Sequence, residues 1–581
     1  MISFIKKNSS AIVNNLSIDQ FISLRVRCVV ICFAALCWFS GHSDVRAASA
    51  VVSAHPLATA AGESILEKGG NAFDAAIAVS AALAVVEPYA SGLGGGGFWL
   101  LHHAKTGRSV MIDSRETAPS EASSDMFLDE KGHPVPGKSL DGPMAAGIPG
   151  TPAALVHLSR YGRLTLADTL TPAIQLAREG FMADRRFVQT LRNHENKLSR
   201  YPDTAAVFLP DGKLLEDGEL FRQPQLAATL TAIAQSGKSG FYQGEIAREL
   251  VRSVRAAGGL WREQDLENYR IVERKPVQFS YRNAQITSAS LPSAGGLTLA
   301  QALNILETVL NGKQDEIEKT HLIVEALRLA YKDRAELLGD SDFVAVPADR
   351  LMSRAYARQQ AATINPDKAG VSQAAPPSPP VQQLPAEGTQ TTHFAVLDKA
   401  GNRVAATLTI NTFFGSGFVA GSTGILLNNE MDDFAIGEHI PNVFGLYGSR
   451  ANAIAPGKRP LSSMSPTFVE TERGILIAGT PGGSRIISML LLVILDYIDN
   501  AETDPRTLAA KPRFHHQYLP DVLQIEPDAF SAEWISALRA MGHEVQAMPR
   551  PWGNMQLIHF DRQSQTATTA NDPRGLSDTR Y

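Results

Sequence analysis

The stretch GTQTTHFAVLDKAGNRVAATLTIN, Gly388–Asn411, decides the reading of this chain. Apolar and small residues alternate from Thr392 to Leu397 and again from Val404 to Ile410. Lys399-Ala400-Gly401-Asn402 between them is turn material, so the segment predicts a β-hairpin. Directly ahead lies AAPPSPPVQQLPAEG, Ala374–Gly388. Residues 371–390 therefore read as an extended, mobile tail rather than part of a core. A strand that opens on two threonines behind such a leader suits a chain cut at that point. A threonine hydroxyl inside a chain needs a base before it becomes a nucleophile. A cut just before it frees an α-amine that titrates near ~8 and can serve as that base. The segment alone does not choose between Thr391 and Thr392, and an ordinary linker before an ordinary strand fits it too.

Working outward, strand patterns dominate beyond Thr391. GILLNN, Gly424–Asn429, predicts a short apolar strand, and TFVETERGILIAG predicts a second hairpin turning at Glu472-Arg473-Gly474. SRIISMLLLVILDYI then predicts a buried helix directly after Gly482-Gly483. Upstream, Pro56–Gly70 reads as a helix stopped by glycines, and Asn71 is a natural N-cap for the next one. GLGGGG, Gly92–Gly97, follows that helix and opens a hairpin turning at Lys105-Thr106-Gly107. A dinucleotide site needs the reverse order, strand then helix, so these glycines predict a turn with positive φ and close backbone approach. Residues from about 145 to 360 read as mostly helical. Helices on both sides of two sets of antiparallel strands predict an α+β layered sandwich.

Composition narrows the class. The 581 residues are 44% hydrophobic and 19% charged, with a net charge of -5. That is an ordinary globular balance, and without a basic run in the body of the chain it argues against nucleic acid. Arg25 and Arg27 precede CVVICFAALCWF, an apolar run of about a dozen residues, with small residues following at Ala47. Residues 1–47 thus read as a signal peptide, with an uncleaved anchor as the alternative, and predict a periplasmic or secreted protein. Cys28, Cys32 and Cys37 all fall in this segment. The mature chain would hold no cysteine, which excludes disulfides, thiol catalysis and cysteine zinc sites. The pairs His102-His103 and His515-His516 lack a third-ligand pattern, so neither metal nor cofactor is expected. No G-x-S-x-G elbow appears.

Four loops carry candidate chemistry. Gly482-Gly483 joins an apolar strand to a helix start, where free N–H groups suit an oxyanion. Arg115 in DSRETAP, the acids of LNNEMDDF and Ser462-Ser463 in KRPLSSMSP each read alone as a surface loop. Together they offer acceptors for an ammonium and donors for a carboxylate, the two groups on an amino acid's α-carbon.

Taken in order, these segments resemble the γ-glutamyltranspeptidase family. So do GGNAFDAAIAVSAALAVVEP, GIPGTPAAL and EALRLAYKDRAELLGDSDF upstream. The resemblance covers about residues 50 to 581. It implies an N-terminal nucleophile hydrolase with a four-layer αββα sandwich. It implies autocleavage between Gln390 and Thr391 into a large subunit, 48–390, and a small catalytic subunit, 391–581, that remain a heterodimer. It further implies that Thr391 attacks the γ-amide of glutathione or another γ-glutamyl compound, with Thr409 bonded to the nucleophile. By the same resemblance Gly482 and Gly483 hold the oxyanion. Asn411, Glu430 and Asp433 hold the substrate's α-ammonium, and Arg115, Ser462 and Ser463 its α-carboxylate. Water or an amino acid or dipeptide then takes the acyl group. Asp433 argues for γ-glutamyl over glutaryl donors, the latter being substrates of cephalosporin-acylase-like members. Residues 435–459 are long enough for a lid, with Phe444 where such lids carry an aromatic gate. The rival readings are a glutaryl or cephalosporin acylase of the same fold, and a matured but idle binding protein.

Overall fold

The hairpin at Thr391 lies at the middle of a six-stranded antiparallel sheet in the computed structural model, which describes residues 48–372, 390–437 and 440–575. Strand order across this sheet is Ala50–Ser53, Thr392–Leu397, Arg403–Thr409, Gly96–His103, Arg108–Asp113 and Val272–Arg274. A second six-stranded antiparallel sheet runs Thr566–Asn571, Gln556–Asp561, Gly474–Gly479, Thr467–Glu470, Ala284–Ser288 and Val277–Tyr281. Side chains alternate across a strand, and here both faces are buried. Phe394, Val396, Trp99 and Leu101 enter one core with the helices Pro56–Glu67, Ala72–Val86 and Leu166–Glu179. Ala395, Leu397, Phe98 and Leu100 enter a second core, shared with the other sheet. That sheet is covered in turn by Gly295–Val309, Glu316–Leu337 and Ile486–Asp499. The layers are therefore helix, sheet, sheet, helix, the order that the family resemblance implies. The described residues form one compact unit.

Local rules explain the elements. Every residue of Ala72–Val86 is buried, and its start is fixed by a capping box between Asn71 and Asp74. The two sheets approach so closely at Gly479 that a methyl group there would stand 2.1 Å from the His393 ring. His393 donates to or accepts from Thr407 Oγ1 at 2.9 Å, and burial drops its pKa to about 3. It stays neutral, which suits a site without a counter-ion.

One expectation holds with an addition and two need correction. The region from 145 to 360 is mostly helical and also supplies the strands Val272–Arg274, Val277–Tyr281 and Ala284–Ser288. Val272–Arg274 and Val277–Tyr281 are short strands at sheet edges, and Ala284–Ser288 is a five-residue strand paired on both sides, so the longer helices around all three dominate the sequence pattern. GILLNN forms no strand; Leu426 and Leu427 make only isolated bridges, to Val419 and Gly94. None of Gly92–Gly97 has positive φ. Glycine is required there for close approach alone: a Cβ on Gly94 or Gly95 would lie 2.0 Å from the carbonyl oxygen of Leu426 or Thr409. The expected signal segment and most of the Pro-rich tail lie outside the described residues.

Candidate active site

Register places the two key threonines together. Leu408 pairs with Thr392, so the next positions, Thr409 and Thr391, face each other at the hairpin's open end. Thr391 Oγ1 is 3.2 Å from Thr409 Oγ1 and in hydrogen-bond contact with the carbonyl oxygen of Gln390. Thr409 Oγ1 lies 3.4 Å from the same carbonyl oxygen and accepts from the Asn411 N–H at 2.8 Å. Asn411 takes the left-handed φ of 76° that this contact needs. The two threonines that the sequence left open differ in their surroundings. Thr392 turns the other way and donates to Glu87 Oε2 at 2.7 Å, so its hydroxyl is spent in the core.

Thr391 opens onto a small cleft. Thr409, Asn411, Arg115, Glu430, Asp433, Ser462, Ser463 and Gly483 line it as well. Gly482, one residue before, is not part of the lining. Gly482 and Gly483 have φ of 144° and 56° and lead through a 3-10 turn into the helix Ile486–Asp499. The first N–H groups of such a helix have no intrahelical acceptor. Phe444 covers this turn: a methyl on Gly483 would come 2.5 Å from Phe444 Cδ1.

Charge is concentrated opposite Thr391. Arg115 is 1% exposed, pairs with Glu430 at 2.6 Å and contacts Asp433. A further carboxyl, Glu116, stands 3.7 Å away, with both oxygens buried and without hydrogen-bond partners. Burial would lower the Arg115 pKa, but Glu430 and Asp433 raise it above the ordinary value. Burial pushes Glu430 well up and Glu116 up to about 8, against the pull of Arg115. Asn411 spends its Nδ2 on the Asn429 carbonyl at 2.9 Å, which leaves its Oδ1 as an acceptor. The serines have the opposite polarity. Ser462 Oγ accepts from the Met464 N–H at 3.1 Å, and Ser463 Oγ accepts from Arg334 Nη2 at 3.0 Å. Their own protons are free to be donated.

The sequence reading missed Glu116 and Arg334. Glu116 adjoins Arg115 and could have been found by that adjacency. Arg334 sits on the long helix Glu316–Leu337, and only packing brings it to the cleft. Phe444 was anticipated as an aromatic gate; it does line the cleft.

Comparison with known proteins decides the family. The sequence description of Gamma-glutamyltranspeptidase matches residues 58–580. The chain belongs to the gamma-glutamyltranspeptidase family. It is 43% identical over 533 residues to the glutathione hydrolase proenzyme of Escherichia coli strain K12, covering 91% of this chain and 90% of that protein. Among solved structures it is similar to cephalosporin acylase from Bacillus halodurans, with a TM-score of 0.79 and 26% identity over 92% of this chain and 97% of that one. It is also similar to Helicobacter pylori gamma-glutamyltranspeptidase, with a TM-score of 0.54 and 40% identity over 57% of this chain and 95% of that chain. As a family member the chain is an autoprocessed gamma-glutamyl transferase and hydrolase. The N-terminal nucleophile hydrolase fold expected from the sequence is the fold of these neighbours.

Proposed function

We propose that the chain is a zymogen cut between Gln390 and Thr391, and that Thr391 then transfers γ-glutamyl groups from glutathione and related compounds. The observation that carries this is the Thr391 hydroxyl, set against the Gln390 carbonyl and Thr409 and facing the paired cleft charges. In the precursor the Thr391 oxygen adds to the Gln390 carbonyl carbon. The C–N bond breaks, the nitrogen gains a proton, and an ester to Gln390 remains. Water hydrolyses that ester and leaves a Gln390 carboxylate and a free Thr391 amine. In the mature enzyme this amine accepts the hydroxyl proton as the oxygen attacks the donor's γ-carbonyl. The Gly482 and Gly483 N–H groups would stabilise the oxyanion. The leaving amine takes the proton, and water or an acceptor's amine resolves the γ-glutamyl ester.

Donor recognition follows from the polarity of the cleft. Glu430, Asp433 and Asn411 Oδ1 accept from the α-ammonium; Arg115, Ser462 and Ser463 donate to the α-carboxylate. Both sheets contain strands from each side of position 390, so ladder hydrogen bonds would hold the two subunits together after cleavage. Exported location, periplasmic or secreted, rests on the signal-like residues 1–47. Amino acids and dipeptides are the proposed acceptors. The acylase alternative has support in the Bacillus halodurans neighbour. Glu430, which is buried, and Asp433, which is half-buried, disfavour it, since a glutaryl group offers them no ammonium.

Denaturing electrophoresis with N-terminal sequencing tests the proposal. Two bands are expected, the smaller starting at Thr391, and a single band for Thr391→Ala. Active wild-type protein that stays uncut would overturn the mechanism.

A further inference from the structure

The helix Glu316–Leu337 brings a second arginine to the cleft, and its situation differs from that of Arg115. Arg334 is 5% exposed. Its Nη2 donates to Ser463 Oγ at 3.0 Å, while its Nε is buried with no hydrogen-bond partner. Among the described residues it makes no ion pair within 4.0 Å. Arg115, by contrast, already engages two carboxylates. Burial lowers the Arg334 pKa, yet a guanidinium remains charged throughout the accessible pH range. A buried, unneutralised cation is costly unless an anion joins it.

Ser463 connects this charge to the ligand. A hydroxyl oxygen that accepts from a guanidinium turns its own proton elsewhere, and the cleft is the open direction. Ser462 is prepared in the same way by the Met464 N–H. We propose that Arg334 is a positioning and specificity residue for the donor's α-carboxylate. It fixes Ser463 as a donor and supplies the positive charge that Arg115 shares with Glu430 and Asp433. The inference rests on the γ-glutamyl reading and extends it to a residue on the large-subunit side of the cleft. It assigns the carboxylate preference to two arginines with different tasks. Arg115 donates to the carboxylate while also holding the acids that meet the ammonium, and Arg334 adds positive charge that no ion pair offsets among the described residues.

The test compares two chromogenic donors in Arg334→Met, Arg334→Lys and Arg334→Gln. One is γ-glutamyl-p-nitroanilide; the other is 4-aminobutanoyl-p-nitroanilide, which keeps the amine and lacks the α-carboxylate. Arg334→Met should lower kcat/KM for the first by roughly tenfold to a hundredfold, mainly through KM, the scale of one lost charge-assisted bond. For the second, the change should stay within about threefold. Lys keeps the charge and should lose less than Gln. Competitive inhibition by L-glutamate and by 4-aminobutanoate gives the same comparison where the second donor turns over too slowly. Lys and Gln carry it if the Met variant does not mature. A purely structural role would lower both donors equally, and that result, or no change in either, overturns the proposal. Wild-type protein inert toward γ-glutamyl-p-nitroanilide would instead refute the γ-glutamyl reading itself.

Discussion

Replacing Thr409 by valine keeps the shape of the side chain and removes one hydroxyl. Three contacts go with it: 3.2 Å to Thr391 Oγ1, 3.4 Å to the Gln390 carbonyl oxygen and 2.8 Å from the Asn411 N–H. The first two act on the reacting peptide. At about 0.5–1.5 kcal/mol each, their loss amounts to about 1–3 kcal/mol. If that whole amount appears in the barrier, precursor cleavage slows roughly fivefold to 150-fold. The third contact acts on the fold. A buried N–H left without an acceptor costs about 1–3 kcal/mol, and it belongs to Asn411, whose positive φ it helps to hold. The variant should therefore also bind donor less well once mature. Pulse-labelled protein followed on a denaturing gel gives the cleavage rate. Thr409→Ser, which restores the oxygen, should process close to wild type. Cleavage of Thr409→Val at the wild-type rate would refute the role derived from this geometry. So would Thr409→Ser being as slow as valine.

Other substitutions probe the cleft. Asp433→Asn should reduce γ-glutamyl-p-nitroanilide turnover by about tenfold or more, the scale of a charge-assisted bond, while sparing or improving glutaryl-p-nitroanilide; unchanged γ-glutamyl turnover would remove Asp433 from the ammonium site. Gly483→Ala puts a side chain at φ 56° and a Cβ 2.5 Å from Phe444 Cδ1. Its kcat should fall by about a hundredfold if the turn holds the oxyanion, and adding Phe444→Ala should recover only the part due to collision, as steady-state kinetics would show. Glu116 has a folded pKa raised by burial to about 8, so the folded state holds a proton that the unfolded chain has lost above 4.5. Stability should accordingly decline as pH rises from 4.5 to about 8, by up to about 1.4 kcal/mol per pH unit. Glu430 is shifted the same way, so Glu116→Gln should flatten the Tm profile in part; parallel wild-type and variant profiles would contradict the shift.

Much was legible in the chain because much of it is local. Alternation in Thr392–Ile410 gives the hairpin, and a hairpin's turn fixes its register, so the opposition of Thr391 and Thr409 follows from neighbours in sequence. Asn71 with Asp74 writes its own helix start. The strands Val277–Tyr281, at a sheet edge, and Ala284–Ser288, beside it, were not legible, since five residues carry a weak pattern and each strand is defined by the one it joins.

The sequence by itself determined the layers, the hairpin and the residue types that could bind an amino acid's two charges. Tertiary structure decided which groups share those charges. Arg115 and Asp433 are 318 residues apart and meet in one ion pair, and Arg334 reaches Ser463 from a helix 129 residues away. It also set the two threonines apart, by giving Thr392 to Glu87 and Thr391 to the cleft. The physical reason is range. Hydrogen-bond periodicity is set by adjacent residues, whereas a buried charge is defined by whatever the fold packs within a few ångströms of it.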